Sequence, residues 1–198
     1  MPYKILAPVK DRKKEYRFTA PVAHLLALVS DQERRVILET KIYCRSLIRY
    51  IPWFRTSKGG GAITFANRRW RSITYTENFF SNDLSRFGEK AYGNDTMAWL
   101  HLSAHEVGHI KHGFKYGSLL IYLIAFIFQY IRFGHGAAPL EIEADQGSNT
   151  LMRWHNYLKI NSLGDIVSLL QSDQQDEVII AVLDTWWEAF QCDLNSQA

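Results

Sequence analysis

The string HLSAHEVGHIKH at residues 101–112 constrains this chain more than any other feature, because its spacing makes sense only on an α-helix with two chemically opposed faces. At about 100° per residue, positions four apart lie about 40° from one another, so the imidazoles of His105 and His109 converge on one point. Glu106 falls on the flank of that seam. Trp99, Leu100, Val107 and Ile110 line the opposite side. Such an apolar stripe anchors a helix to a core and leaves the other face free for chemistry. The pattern predicts a helix from Thr96 to about His112, opened by an N-cap at Asn94 or Asp95 and closed by Gly113.

His105-Glu106-Val107-Gly108-His109 is an HExxH motif. Neutral imidazole is a good zinc ligand, and a catalytic zinc has three protein ligands and a fourth, open position for water. The metal lowers the pKa of water, and a neighbouring carboxylate takes the proton. Glu106 is therefore the expected general base. The third ligand is sought in APLEIEADQGSN, residues 138–149, where Glu141, Glu143 and Asp145 fall in a predicted helix. Glu141 and Asp145 are four apart and share a face, whereas Glu143 points about 200° away from Glu141. Glu141 is the expected ligand, and Asp145 the expected acceptor for the outer ring N–H of one ligand histidine. The bland reading of this cluster is an acidic helix start favoured by the macrodipole.

Around this centre the sequence predicts an amphipathic helix over 31–51, with Val36, Ile37, Tyr43, Leu47 and Ile51 inward. It predicts a β-hairpin from AITFAN (62–67) and RSITYTE (71–77), then a loop over 81–95. Later helices are expected at 139–158, near 163–171 and at 175–191, the last with Val178, Val182, Trp186 and Ala189 as its core face. Leu119 to Phe128 is a run of ten apolar residues, about half of the roughly 20 that span a bilayer. It is expected to be a buried or interfacial helix.

The 198 residues suit a single domain around one core. Lys4, Lys10, Arg12, Lys13, Lys14 and Arg17 make residues 1–30 a basic N-terminal arm, which the net charge of +3 does not turn into a nucleic-acid-binding protein. No nucleic-acid partner is expected. Cys44 and Cys192 are far apart and form no CxxC pair, which fits a reducing compartment. No apolar stretch with a small-residue cleavage site opens the chain, so a cytoplasmic, soluble protein is expected; the alternative is peripheral membrane contact, with residues 118–133 dipping into lipid and the basic arm reading anionic headgroups. His101 and His112 extend the histidine stripe and read as exposed or supporting residues. His135, His155, Arg132, Tyr75 and Tyr92 are the candidates for holding a developing oxyanion.

HEVGH followed by EIEAD resembles the glutamate-zincins, among them metallopeptidases of the HtpX and CAAX-protease type, where the first glutamate of ExxAD binds zinc. GAITFANRRWRSITYTENFF before WLHLSAHEVGHIKH resembles the small zincin-like domain associated with bacterial contractile injection systems. Metzincins carry HExxHxxGxxH, a pattern that His112 and Lys115 do not follow. The resemblance implies an α+β, mostly helical fold, its zincin-like active-site helices packed with a small hairpin or sheet and its catalytic core at 60–158. It implies Zn2+ on His105, His109 and Glu141, and hydrolysis of a protein or peptide substrate. The alternative is a catalytically silent zincin-like binding or structural module of a secretion or injection apparatus or a membrane surface.

Overall fold

The computed structural model describes residues 5–10, 12, 15–44, 61–67, 69–75, 95–134 and 137–196. Five strands come first: β1 (Leu6–Pro8), β2 (Glu15–Phe18), β3 (Lys41–Cys44), β4 (Ala62–Ala66) and β5 (Arg71–Tyr75). Helices α1 (Ala20–Ser30) and α2 (Arg34–Leu38) lie between β2 and β3. The chain then turns helical: α3 (Asp95–Tyr116), α4 (Leu119–Phe133), α5 (Pro139–Ile160), α6 (Ile166–Gln171) and α7 (Asp176–Ser196). The architecture is α+β and mostly helical. One cluster of buried side chains runs through it from Ile5 on the sheet side to Phe190 in α7.

The sheet has the order β1-β2-β3-β5-β4, antiparallel except where β3 runs parallel to β5. β4 and β5 form the expected hairpin, with Thr64 opposite Ile73. Its turn is held by Asn67, whose Oδ1 accepts from the amides of Arg69 and Trp70 at 2.8 Å each. β4 is a terminal strand of the described sheet, and α3 packs against it.

Two expectations are corrected. The helix foreseen over 31–51 is only the five residues of α2, followed by β3; its remaining residues, 45–51, lie outside the described residues. The Thr40 hydroxyl donates to the Val36 carbonyl at 2.8 Å as the helix ends, and Ile42 then enters the core as part of an interior strand. The described part of the basic arm keeps Lys10 and Arg12 exposed, as a solvated stretch does. It forms β1 and β2, and Arg12 and Arg17 both pair with the buried carboxylate of Glu15, at 3.3 and 3.0 Å. Behind it α1 buries Val22, Leu25, Leu26 and Val29. Finally, α7 presents Ile179, Leu183 and Phe190 to the core while Val178 is exposed, a shift of one residue from the expected stripe. The loop foreseen over 81–95 falls outside the described residues up to Asn94.

α3 runs through Gly113 to Tyr116. A Cβ at Gly113 would overlap the backbone of Ala66, so this glycine is a point of contact with β4 and not a helix end. The end comes at Gly117, whose φ of +66° suits a residue without a Cβ. Of the two states expected of α4, buried or interfacial, the first does not hold, because only Tyr122 of its fifteen residues is buried. Among the described residues no single helix is long and apolar enough to cross a membrane; α3 and α4 meet that test only as a pair bent by 117°.

Candidate metal centre

The apolar side of α3 is inside the protein as its periodicity requires: Leu100, Val107 and Ile110 are fully buried and Trp99 nearly so. Its other face meets α5. The two helices approach closely because the crossing residues are small. A Cβ on Gly108 would lie 2.7 Å from the Ala144 Cα and 2.8 Å from its carbonyl oxygen, so HEVGH and EIEAD touch through Gly108 and Ala144. Their flanking side chains are thereby brought to one place.

That place holds His105, His109 and Glu141. The two Nε2 atoms are 3.1 Å apart. Glu141 Oε2 lies 3.3 Å from His105 Nε2, and its Oε1 lies 3.7 Å from His109 Nε2. Tetrahedral ligand atoms at about 2.1 Å from a zinc stand about 3.4 Å apart, so the spacing suits a metal of that size. These three are the one such trio among the described residues, and their ligand atoms all fall within 4.8 Å of one another. The cluster is able to hold a metal ion.

The outer ring nitrogens are engaged as well. His105 Nδ1 is 2.7 Å from Asp145 Oδ1. His109 Nδ1 is 3.3 Å from His112 Nδ1, and His112 Nε2 is 3.0 Å from Glu143 Oε2. One set of tautomers satisfies these contacts: His105 donates from Nδ1 to Asp145, His109 donates from Nδ1 to His112, and His112 donates from Nε2 to Glu143. It leaves the Nε2 lone pairs of His105 and His109 both directed at Glu141. Without a cation that arrangement draws in a proton instead. Burial opposes a charge on His105, but Asp145 and Glu141 outweigh it and raise its pKa to about 10. The negative field that holds a proton there is the field that attracts a metal.

Glu106 is 4% exposed, and its Oε2 lies 2.7 Å from the Thr64 hydroxyl. That hydroxyl also lies 3.0 Å from the Glu106 carbonyl oxygen, and its single proton serves one of them at a time. Burial pushes Glu106 up to about 7, with His105 and Thr64 pulling it down and Glu141 adding to the rise.

The centre forms the floor of a cleft of about 360 Å3 between β4 and α4. Ala62, Ile63 and Phe65 make one wall, and Leu123, Phe126 and Ile127 the other. Tyr122 and Tyr130 also line it. The phenol of Tyr122 is held well above its usual pKa by burial and by the charges of Glu106 and Glu141, which keeps its proton available for donation.

His105, Glu106, His109, Glu141 and Asp145 thus converge. Of the oxyanion candidates, Tyr75 is buried with its hydroxyl 2.8 Å from Ser103 Oγ. His155 is buried in α5, Arg132 lies over the ring of Phe133, and none of the three lines the cleft. Tyr92 and His135 lie outside the described residues. Sequence reasoning did not find Thr64, Tyr122 or the His112–Glu143 link. The available signal was slight: Tyr122 is the only hydroxyl-bearing residue in 119–129, and His112 follows His109 by one helical turn. Comparison of the chain with protein-family models, curated proteins and solved structures finds no match.

Proposed function

We propose that this chain is a zinc-dependent metallopeptidase of the gluzincin type, in which His105, His109 and Glu141 hold the ion. The observation that carries this reading is Glu106. A site kept only to bind metal needs three ligands, yet a fourth buried group, a carboxylate that is not one of the trio, lines the same cleft. Bound zinc supplies the acidity that makes water a nucleophile near neutral pH.

The chain's own residues supply the rest. Glu106 accepts the proton of the attacking water, and Thr64 orients that carboxylate through its hydroxyl. The proton then passes from Glu106 to the departing amine, which restores the base. Tyr122 donates to the oxygen on which negative charge develops. The substrate is a polypeptide in extended form, lying along terminal strand β4, whose residues 62–65 make one cleft wall. The apolar side chains opposite favour a bulky apolar residue beside the cleaved bond.

The test is Glu106→Gln. Gln keeps the shape of Glu but cannot take the proton, so the variant should bind zinc as wild type does while cleavage of an unfolded, casein-like substrate falls about 10²–10⁴-fold. Wild-type cleavage should stop with a chelator. Equal cleavage by both proteins would remove Glu106 from the mechanism, and no cleavage by wild type of any peptide would overturn the peptidase reading.

A further inference from the structure

The cleft takes up one side of α4, and Ile127, at the border of that side, both lines the cleft and stands more than half exposed. Leu120, Ile121, Ile124, Ile127, Phe128 and Ile131 are each more than half exposed, from 53% at Ile127 to 78% at Ile131. At about 100° per residue these six occupy a single stripe about 120° wide. Tyr122, Leu123, Phe126 and Tyr130 lie on the other side, towards the metal centre. An outward row of six large side chains without one hydrogen-bonding group is more than the scattered apolar exposure of an ordinary surface.

Charge decides what covers it. From Val107 to Leu140 the sequence contains no Asp or Glu, and its charged residues are Lys111, Lys115 and Arg132. Lys111 and Lys115 keep only loose contacts, 3.7 Å to Asp31 and 3.9 Å to Glu143. A second copy of the chain seated on the stripe by two-fold symmetry would bring the two Arg132 side chains towards one another without a carboxylate on α4 to separate them. A protein partner would find no polar group on the stripe to fix its register. An anionic bilayer surface matches both features, since acyl chains accept the stripe and headgroups attract Arg132, which is exposed beside it in a stretch without Asp or Glu. The helix is fifteen residues, about 22 Å long and short of the roughly 30 Å hydrocarbon core, so it lies along the interface and does not cross it.

We infer that the outer face of α4 docks this protein on an anionic lipid surface, with the cleft opening beside the headgroups. This inference does not depend on the cleft being catalytic.

The experiment is flotation of the full chain with vesicles of phosphatidylcholine alone and of phosphatidylcholine containing about one third phosphatidylserine. Wild type should float with the anionic vesicles and less with the neutral ones, and 1 M salt should narrow that difference. The double substitution Ile124→Glu, Ile131→Glu adds two carboxylates to the stripe and should lower the partition onto anionic vesicles at least about tenfold. Circular dichroism and zinc content should match wild type; if the double variant fails to fold, Ile131→Glu alone carries the test. Flotation unchanged by the substitution overturns the inference. So does wild type that stays unbound by both vesicles, whether monomeric or as a dimer that the substitution dissociates, the latter assigning the stripe to a second copy.

Discussion

How firmly His105 would hold a cation is set one hydrogen bond away, at Asp145. Its carboxylate fixes the tautomer that points Nε2 inward, and it makes the imidazole a stronger donor to a metal. Asp145→Ala should weaken zinc affinity about 10–100-fold in a competition titration with a chelating dye. Asp145→Asn keeps an acceptor oxygen without the charge and should fall between the two; equal affinity in all three proteins would show that the contact does not orient the ligand. On the proposed mechanism Tyr122 would govern a different quantity. Tyr122→Phe leaves the ring packing against His112 and Phe126 and removes only the hydroxyl. It should lower kcat about 10²–10³-fold with little change in KM, and a KM effect alone would reassign Tyr122 to substrate binding. These residues differed in how well the sequence exposed them. Glu141 and Asp145 were readable because both are on one helix and a spacing of four defines a face. Thr64 and Tyr122 reach the site from β4 and α4, and no local period encodes which residue of a strand or an apolar run meets a helix far along the chain.

The crossing of α3 and α5 is where element geometry and metal chemistry meet. Glycine inside a helix ordinarily costs about 1 kcal/mol relative to alanine, so Gly108→Ala would stabilise an isolated helix. Here the added Cβ meets Ala144 backbone atoms at 2.7 and 2.8 Å, and backbone in a packed helix does not yield as a flexible side-chain end would. The overlap should win, giving a net loss of about 1–3 kcal/mol in urea denaturation of the metal-free protein, with weaker zinc binding as the helices separate. Stabilisation instead would mean that the crossing is looser than the distances indicate. The hairpin and the course of α3 were legible because each is local: a turn between two β-branched runs, and an apolar stripe of period 3.6. β3 was not, since Lys41–Cys44 is four residues long and becomes a strand through partners at Glu15–Tyr16 and Ser72–Tyr75. The helical end at Gly113 was misplaced because glycine serves both as a stop and as a site of close approach. Only the position of Ala66 distinguishes the two.

For the whole molecule, the proposed ligand set ties the HExxH helix to a helix that begins 30 residues after His109, and both helices contribute side chains to the common core. On the proposed ligand set, metal binding and folding would be coupled: the trio does not exist in the unfolded chain, so zinc would add to stability by mass action. At a free zinc concentration 100 times Kd, the gain is about 2.7 kcal/mol. For a chain of this size it should raise Tm by about 5–10 °C, and a chelator should reverse the rise. The same melting experiment separates binding from chemistry. Glu106→Gln should show nearly the full zinc-induced shift, because Glu106 is outside the His105–His109–Glu141 trio. His109→Ala should show little, because two ligands remain. Glu143→Ala should stay close to wild type, losing only the support that reaches His109 through His112. A zinc shift abolished by Glu143→Ala and retained by Glu141→Ala would overturn the ligand set. A shift equal in wild type and His109→Ala would locate zinc elsewhere on the chain.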